Sequence, residues 1–296
     1  MQSRSIILAI SASFFFATST FISKLLGSGA WGGALHPLQV THSRFAFGLV
    51  TAAILFMALR RRFERPHIGL HLLRSTCGWL GVAILFTGVL YIPASDAVAL
   101  TFLNPIFAMI FAVLILKEHV DRHRWIAALI ALTGGIMLIR PEGSGINPIA
   151  LMCIGGAMII GIEIIAIKML ASREDVFQIL VINNAIAAVV ASLPLLFLFD
   201  MPTASQWVGL AAVGGVMVTG QMMFLFAMRA SDASLVAPFI YATLLFVGGL
   251  DFVILGVQPD ATSLLGGAII IAGGSYVAIR EHRQRHPSRQ DRSKAS

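Results

Sequence analysis

The sequence predicts an all-α integral membrane protein, with ten transmembrane helices in two inverted five-helix repeats. Three observations carry this expectation. Of 296 residues, 57% are apolar and 12% are charged. The mean hydropathy is +0.87, far from the balance that covers a soluble domain's surface. Apolar windows long enough for a helix to cross a hydrocarbon core, about 20 residues for about 30 Å, occur ten times. Short phrases also recur in the two halves, most clearly ASDA at Ala94 to Ala97 and at Ala230 to Ala233.

The first window, 5–26, is too long and too poor in small residues at its end to read as a removed signal peptide, so it is taken as a helix. Ser13, Ala17, Thr20 and Lys24 share one stripe on it, and Lys24 either snorkels to the interface or belongs to a gate. The second window, 37–59, carries Arg44 seven residues in, roughly 10 Å deep. Thr41, Gly48 and Thr51 lie on the same face, while His42 points elsewhere. A charge at that depth costs about 2.5 to 3.5 kcal/mol on insertion scales, so Arg44 either lines a pathway or fixes helix packing through backbone carbonyls. In the third window, 70–92, Arg74 is close enough to the start that it is expected to reach the cytoplasmic interface.

The fourth window, 94–116, follows its ASDA with Asn104 and Pro105, which supply an amide and a carbonyl freed from the helical ladder. The fifth, 123–140, holds Gly134 and Gly135, which read as a close-packing face. The sixth, 147–170, places Glu163 in an apolar run with Lys168 five residues on. Either the two form an ion pair, or Glu163 is a carboxyl available for proton exchange. The seventh, 175–199, has Gln178 near its start and Asn183 and Asn184 within, and the eighth, 205–229, has Gln221. The ninth, 232–256, lines up Tyr241, Gly248 and Asp251, with Thr243 beside them. The tenth, 262–280, contains the glycine-rich GGAIIIAGG, a second close-packing face. Residues 281–296 read as a basic, disordered cytoplasmic tail. Cys77 and Cys153 lie in apolar stretches with neither a disulfide framework nor a metal-ligand spacing, and read as packing residues.

Orientation follows from the basic residues. With the N-terminus inside, 16 of the 21 Lys and Arg fall in internal segments: Arg4, Arg60, Arg61, Arg62, Arg65, Lys117, Arg122, Arg124, Arg173, Arg229 and the six from Arg280 to Lys294. Only Arg140 lies at an external boundary. Both termini are therefore expected in the cytoplasm, in an inner (plasma) membrane. The basic clusters face a lipid bilayer rather than nucleic acid.

The repeat reading extends beyond ASDA. TGGIMLIRPE stands against AGGSYVAIRE, FISKLL against IAIKML, and Gln39 against Gln178. The units are 1–142 and 143–280, and an odd number of helices per unit makes the second run through the membrane upside down. Inverted repeats are the construction of secondary transporters, which expose a midplane site to alternate sides. No HExxH, GxSxG or phosphate-binding loop is present, so no catalytic residue, metal or cofactor is assigned. Without a nucleotide-binding motif, transport is expected to run on a gradient.

The second window reads THSRFAFGLV, and the fourth and fifth read SDAVALTFLNPIFAMIFAVLILKEHVDRHRWIAALIALTGGIMLI. Through Arg44, Asn104, Pro105, Glu118, Gly134 and Gly135 the chain resembles the drug/metabolite transporter superfamily, in its ten-helix EamA-type branch. The second half departs by carrying Val257 where the first has Glu118. The resemblance implies a carrier, monomeric or homodimeric, that exports amino acids or other small polar metabolites. The alternatives are import of a vitamin or nucleoside-like compound, or a non-transporting receptor or scaffold. The expected substrate-lining residues are Phe16, Thr20, Thr41, Arg44, Phe102, Asn104, Glu163, Asn183, Gln221 and Tyr241. Glu163, Asp251 and Lys24 are the expected proton-coupling or gate residues, and the opposed charges of Arg44, Lys24 and Asp251, on three helices, are expected to meet near the outer half.

Overall fold

A computed structural model describes residues 2–91, 100–139, 148–193, 195–256, 258 and 261–285, and among them the regular structure is helical, with no strand. Helix α1 (Gln2–Gly27) contains hydroxyl residues that would be unsatisfied in an apolar setting; Thr18, Thr20 and Ser23 each donate to the carbonyl four residues back. Helix α2 (Pro37–Ala58) opens on a proline, which loses nothing there because the first N–H groups of a helix have no intrahelical partner. Helices α3 (Ile68–Tyr91), α4 (Asn104–Leu116), α5 (Arg122–Ile139) and α6 (Pro148–Ala171) follow, and α4 ends where Lys117 turns left-handed at φ 56°.

Helix α7 (Val176–Ser192) is capped by Asp175, which accepts from Phe177 N. It stops before the expected limit at 199, ahead of a proline in the sequence, and only the single turn Leu195–Leu198 follows. Helix α8 (Ala204–Ala230) starts in a reciprocal cap between Thr203 and Gln206. The ninth window is not one helix. A turn at Ala233–Val236 passes into a tight 3₁₀ segment, Ala237–Tyr241, and then into α9 (Ala242–Leu255). Pro238, which lacks an N–H, accounts for the break. Helix α10 (Ala261–Arg285) runs five residues into the expected tail, so that tail is helical as far as Arg285; 286–296 lie outside the described residues, as do the first ASDA and Arg140.

The helices pack in pairs. α1 lies along α8, and α3 along α6; α9 packs on α1, and α4 on α6; α2 joins α7 and α8, and α5 joins α10. The α5–α10 seam is the glycine face expected from TGG and GGAIIIAGG: a Cβ on Gly134 would fall 2.6 Å from Gly266 O, and one on Gly273 3.0 Å from Ala127 O. The main apolar core gathers Ile165, Leu170, Leu180, Leu225, Met228 and Leu235, and Cys77 and Cys153 are buried and unbridged. Large apolar side chains point outward along the bundle, among them Ile7, Val50, Met57, Val189, Val208 and Val253. Such a surface is costly in water and is at home in lipid. Among the described residues, five helical windows are long and apolar enough to cross a bilayer by length and composition.

The two ends of the bundle differ. At one, Ser231 Oγ donates to Ser5 Oγ (2.8 Å), and Arg124 Nη1 donates to Asp232 Oδ2 and Ser234 Oγ (3.0 Å each). Glu118 accepts from the backbone N–H groups of Ala233 and Ser234 (2.9 and 3.1 Å), so this carboxylate caps the turn opened by the second ASDA. At the other end, Lys24 Nζ and Asp251 Oδ1 pair at 2.7 Å, and Gln206 Nε2 donates to Gly33 O (2.6 Å). We refer to these as the Glu118 end and the Lys24 end.

Candidate functional site

The buried polar layer between the two ends is built on a local pattern repeated in α2 and α3. Arg44 precedes Gly48 by four residues, and Arg74 precedes Gly78 by four, so each arginine shares a helix face with a glycine. Each glycine face is occupied by a polar group from another helix. A Cβ on Gly48 would stand 2.6 Å from Asn184 Oδ1 of α7; one on Gly78 would stand 2.9 Å from Glu163 Oε1 and 3.1 Å from its Oε2, on α6. The missing side chains make room for an amide and a carboxylate. Both guanidiniums act on Glu163 through their charge.

The amides complete the layer. Asn184 Nδ2 donates to Leu180 O (2.8 Å) and to Gln221 Oε1 of α8 (3.4 Å), and Ser75 Oγ, next to Arg74, donates to Asn183 Oδ1 (3.3 Å). The three charged groups have no such partners. Arg44 Nε and Arg74 Nε and Nη1 are buried with no hydrogen bond, although Arg74 is only 2% exposed. Arg44 rests over the Phe45 ring, its guanidinium carbon 5.1 Å from the centroid. Among the described residues neither arginine lies within 4.0 Å of Glu163. A buried donor without an acceptor is uncommon and costly, and here three converge.

Three expectations are corrected by this geometry. Arg74 does not reach an interface; it turns inward, because its face of α3 packs on α6 rather than on the boundary. Glu163 and Lys168 do not pair. Lys168 Nζ donates to Met228 O (2.7 Å) and to Ser231 O, since five residues of helix turn its side chain toward the end of α8. The expected meeting of charges from three helices also separates into two places: Lys24 and Asp251 pair at their end, while Arg44 belongs to the central layer.

The remaining expected residues are placed as follows. Tyr241 is fully buried, donates to Phe102 O (2.6 Å) and stacks on the Phe102 ring, centroids 5.9 Å apart. Asn104 Nδ2 donates to Thr101 O (2.9 Å), while its Oδ1 is buried without a partner. Phe16 lies edge-on to Phe224 at 6.1 Å and against Gly220, beside Gln221. Thr20 and Thr41 donate to Phe16 O and Pro37 O, bonds local to their own helices. Arg44, Glu163, Asn183 and Gln221 thus meet in one layer, and Phe102 and Tyr241 meet in another place. Sequence reasoning missed Arg74, Ser75 and Gly78 as members of the layer; the shared Arg-x₃-Gly spacing was the available signal.

At the Glu118 end a second carboxylate contrasts with Glu163. Glu174, between α6 and α7, accepts from His67 N (2.6 Å), the His67 ring (2.9 Å), His71 Nε2 (2.9 Å) and Gln178 Nε2 (2.8 Å). Burial opposes its ionisation, but these bonds outweigh burial and pull its pKa down to about 2.

The glutamines noted as parallel in the two halves act reciprocally. Gln39, at the start of α2, exchanges hydrogen bonds with the backbone of Asp200, beyond the end of α7 (2.6 and 3.2 Å). Gln178, at the start of α7, accepts from the backbone of Glu64, beyond the end of α2 (2.8 Å).

Comparison with known proteins is in keeping with this architecture. The sequence profile of the EamA-like transporter family matches twice, over residues 3–140 and 147–279. The chain is 26% identical to the pseudopaline exporter of Pseudomonas aeruginosa over 90% of its own length and 93% of that protein. It is 26% identical to an S-adenosylmethionine uptake transporter of Rickettsia prowazekii, covering 88% and 87%, and 26% identical to a riboflavin transporter of Vibrio cholerae, covering 80% and 79%. A protein of known crystal structure has the same fold, with a TM-score of 0.81 over 95% of this chain and 98% of that one at 18% identity. These relatives are transporters rather than enzymes, and the chain is a multi-pass membrane protein belonging to the EamA-like transporter family.

Proposed function

We propose that this transporter moves a small polar organic metabolite, an amino acid or a close relative, out of the cell by alternating access through the layer of Arg44, Arg74 and Glu163. The observation that carries this reading is that Arg44 Nε and Arg74 Nε and Nη1 are buried without a hydrogen-bond acceptor, beside Glu163 and flanked by amides able to orient a ligand. A zwitterion or carboxylate supplies acceptors for guanidinium N–H groups, which suit carboxylates geometrically. We assign proton exchange to Glu163, whose charge is otherwise uncompensated by a hydrogen bond.

The proposed frame is ten transmembrane helices in two inverted repeats, 1–142 and 143–280, in the inner membrane with both termini cytoplasmic, as a monomer or homodimer. Three things support it. The family profile matches twice. The packing pairs exchange when each helix is replaced by the one five later: α1–α8 becomes α6–α3, and α1–α9 becomes α6–α4. Gln39 and Gln178 play reciprocal parts. The Glu118 end is then cytoplasmic and the Lys24 end external. Alternating access in this frame opens one end as the other is tied.

A second reading, import of a vitamin or nucleoside-like compound, is favoured by the uptake of S-adenosylmethionine named for one relative and by the riboflavin named for another. Counterflow in proteoliposomes against labelled amino acids, riboflavin and S-adenosylmethionine, with and without a pH gradient, separates the readings. Exchange of an amino acid above empty liposomes is the expected result; exchange of riboflavin or S-adenosylmethionine alone supports the second reading. Cysteine labelling is expected to find position 31 external and position 61 internal, and the reverse pattern would overturn the orientation.

A further inference from the structure

We infer that the substrate carries one more negative than positive charge, in the class of amino acids bearing a second carboxylate. The inference rests on the reading that substrate crosses through the central layer. Two arginines and one glutamate line that layer, so its own charge is unbalanced by one positive unit. The nearby basic side chains have other partners: Lys168 donates to the carbonyls of Met228 and Ser231, and His71 Nε2, one turn before Arg74, donates to Glu174. The surrounding Ser75, Asn183, Asn184 and Gln221 are neutral and mostly bonded to one another. Among the described residues no further charged group offsets the excess.

The geometry of the vacant donors sets what the ligand must bring. Arg74 offers two buried donor nitrogens without an acceptor, Nε and Nη1, which face different sides of the planar guanidinium; Arg44 offers one, Nε. The arginines come from different helices, each four residues before a glycine face, and Glu163 lies over the Gly78 face. A ligand with two carboxylates and one ammonium gives each guanidinium an acceptor and Glu163 a donor. A simple zwitterion leaves one buried guanidinium unpaired, and a cationic amino acid offers its single carboxylate to two arginines while adding positive charge. An unpaired buried charge is the costlier state, so net charge becomes the basis of selection.

The test is counterflow in proteoliposomes with labelled L-glutamate and L-aspartate against L-alanine and L-lysine, with a potassium diffusion potential set by valinomycin. The acidic pair is expected to exchange at least tenfold faster than alanine. Arg74→Gln, which removes the excess charge, is expected to bring that ratio below two, and Arg74→Lys to restore it. Purified wild-type protein in detergent is expected to gain thermal stability from L-glutamate and not from L-alanine, a readout that does not depend on the variants folding. Exchange of alanine or lysine at the glutamate rate would overturn the charge rule while leaving the transport reading intact. Exchange of none of the four, with no thermal shift, would overturn the rule; failure of riboflavin and S-adenosylmethionine as well would remove the transport reading too.

Discussion

Glu163 and Glu174 are two carboxylates eleven residues apart, and their surroundings are opposites. Glu174 accepts four hydrogen bonds from His67, His71 and Gln178 and so joins the start of α3 to the start of α7. Glu163 lies against the bare backbone face of Gly78, in the field of two arginines whose buried Nε and Nη1 donors find no acceptor, and no protein hydrogen bond to it is seen among the described residues. A buried charge whose bonds are filled by the protein is holding the protein together. One whose bonds are unfilled is costing stability, and such a group is kept where a ligand fills them.

The sharpest way to break this contrast is truncation. Glu174→Ala leaves four donors without their acceptor and is expected to cost about 3 kcal/mol, the range for removing one partner of a buried charged cluster, read as a lower thermal midpoint in detergent. Glu163→Gln is expected to reverse the pattern. Flux should fall roughly a hundredfold, about 2.7 kcal/mol in the barrier at 1.36 kcal/mol per tenfold, while the midpoint stays within a few degrees of wild type. A large loss of stability in Glu163→Gln with flux retained would erase the distinction between the two carboxylates.

A pH series sharpens it. The folded-state pKa of Glu174, about 2, is below the ordinary value of 4.5, so the folded protein holds its proton less tightly than the unfolded chain. Its stabilising contribution is therefore full above pH 4.5 and is lost as pH falls toward about 2. The difference in thermal midpoint between wild type and Glu174→Gln should be constant above pH 4.5 and shrink below it. A difference that persists to the acid limit would mean that the bonds, and not the charge, carry the effect.

The smallest effect is expected at the Lys24 end. The Lys24–Asp251 pair is close at 2.7 Å, but the lysine side chain is half exposed. Lys24→Ala should change stability by less than about 1 kcal/mol, as for other exposed pairs. A larger loss in the thermal midpoint would show that this end is tied as firmly as the one around Glu118, where carboxylates hold backbone N–H groups directly.

Composition and local chemistry by themselves determined a good deal. The excess of apolar residues dictates a lipid setting, and the family assignment was legible in the phrases around Arg44, Asn104 and Glu118. The α5–α10 seam could be read from its glycines, because a missing Cβ permits close approach whichever partner arrives. Proline at 238 accounts just as locally for the break in the ninth window, a stretch that reads in the sequence as one span over 232–256. The partners of the charges could not be read this way. In a helix that is apolar nearly all round, no amphipathic stripe distinguishes the face that meets another helix from the face that meets lipid. Packing alone turned Arg74 inward to Glu163 rather than out to the boundary, sent Lys168 to the carbonyls of Met228 and Ser231, and closed Tyr241 on Phe102. Which way a helix rotates about its own axis is decided by the shapes of its neighbours, and those neighbours are distant in sequence. The tertiary structure therefore decided the central layer, while the sequence had already supplied its residues.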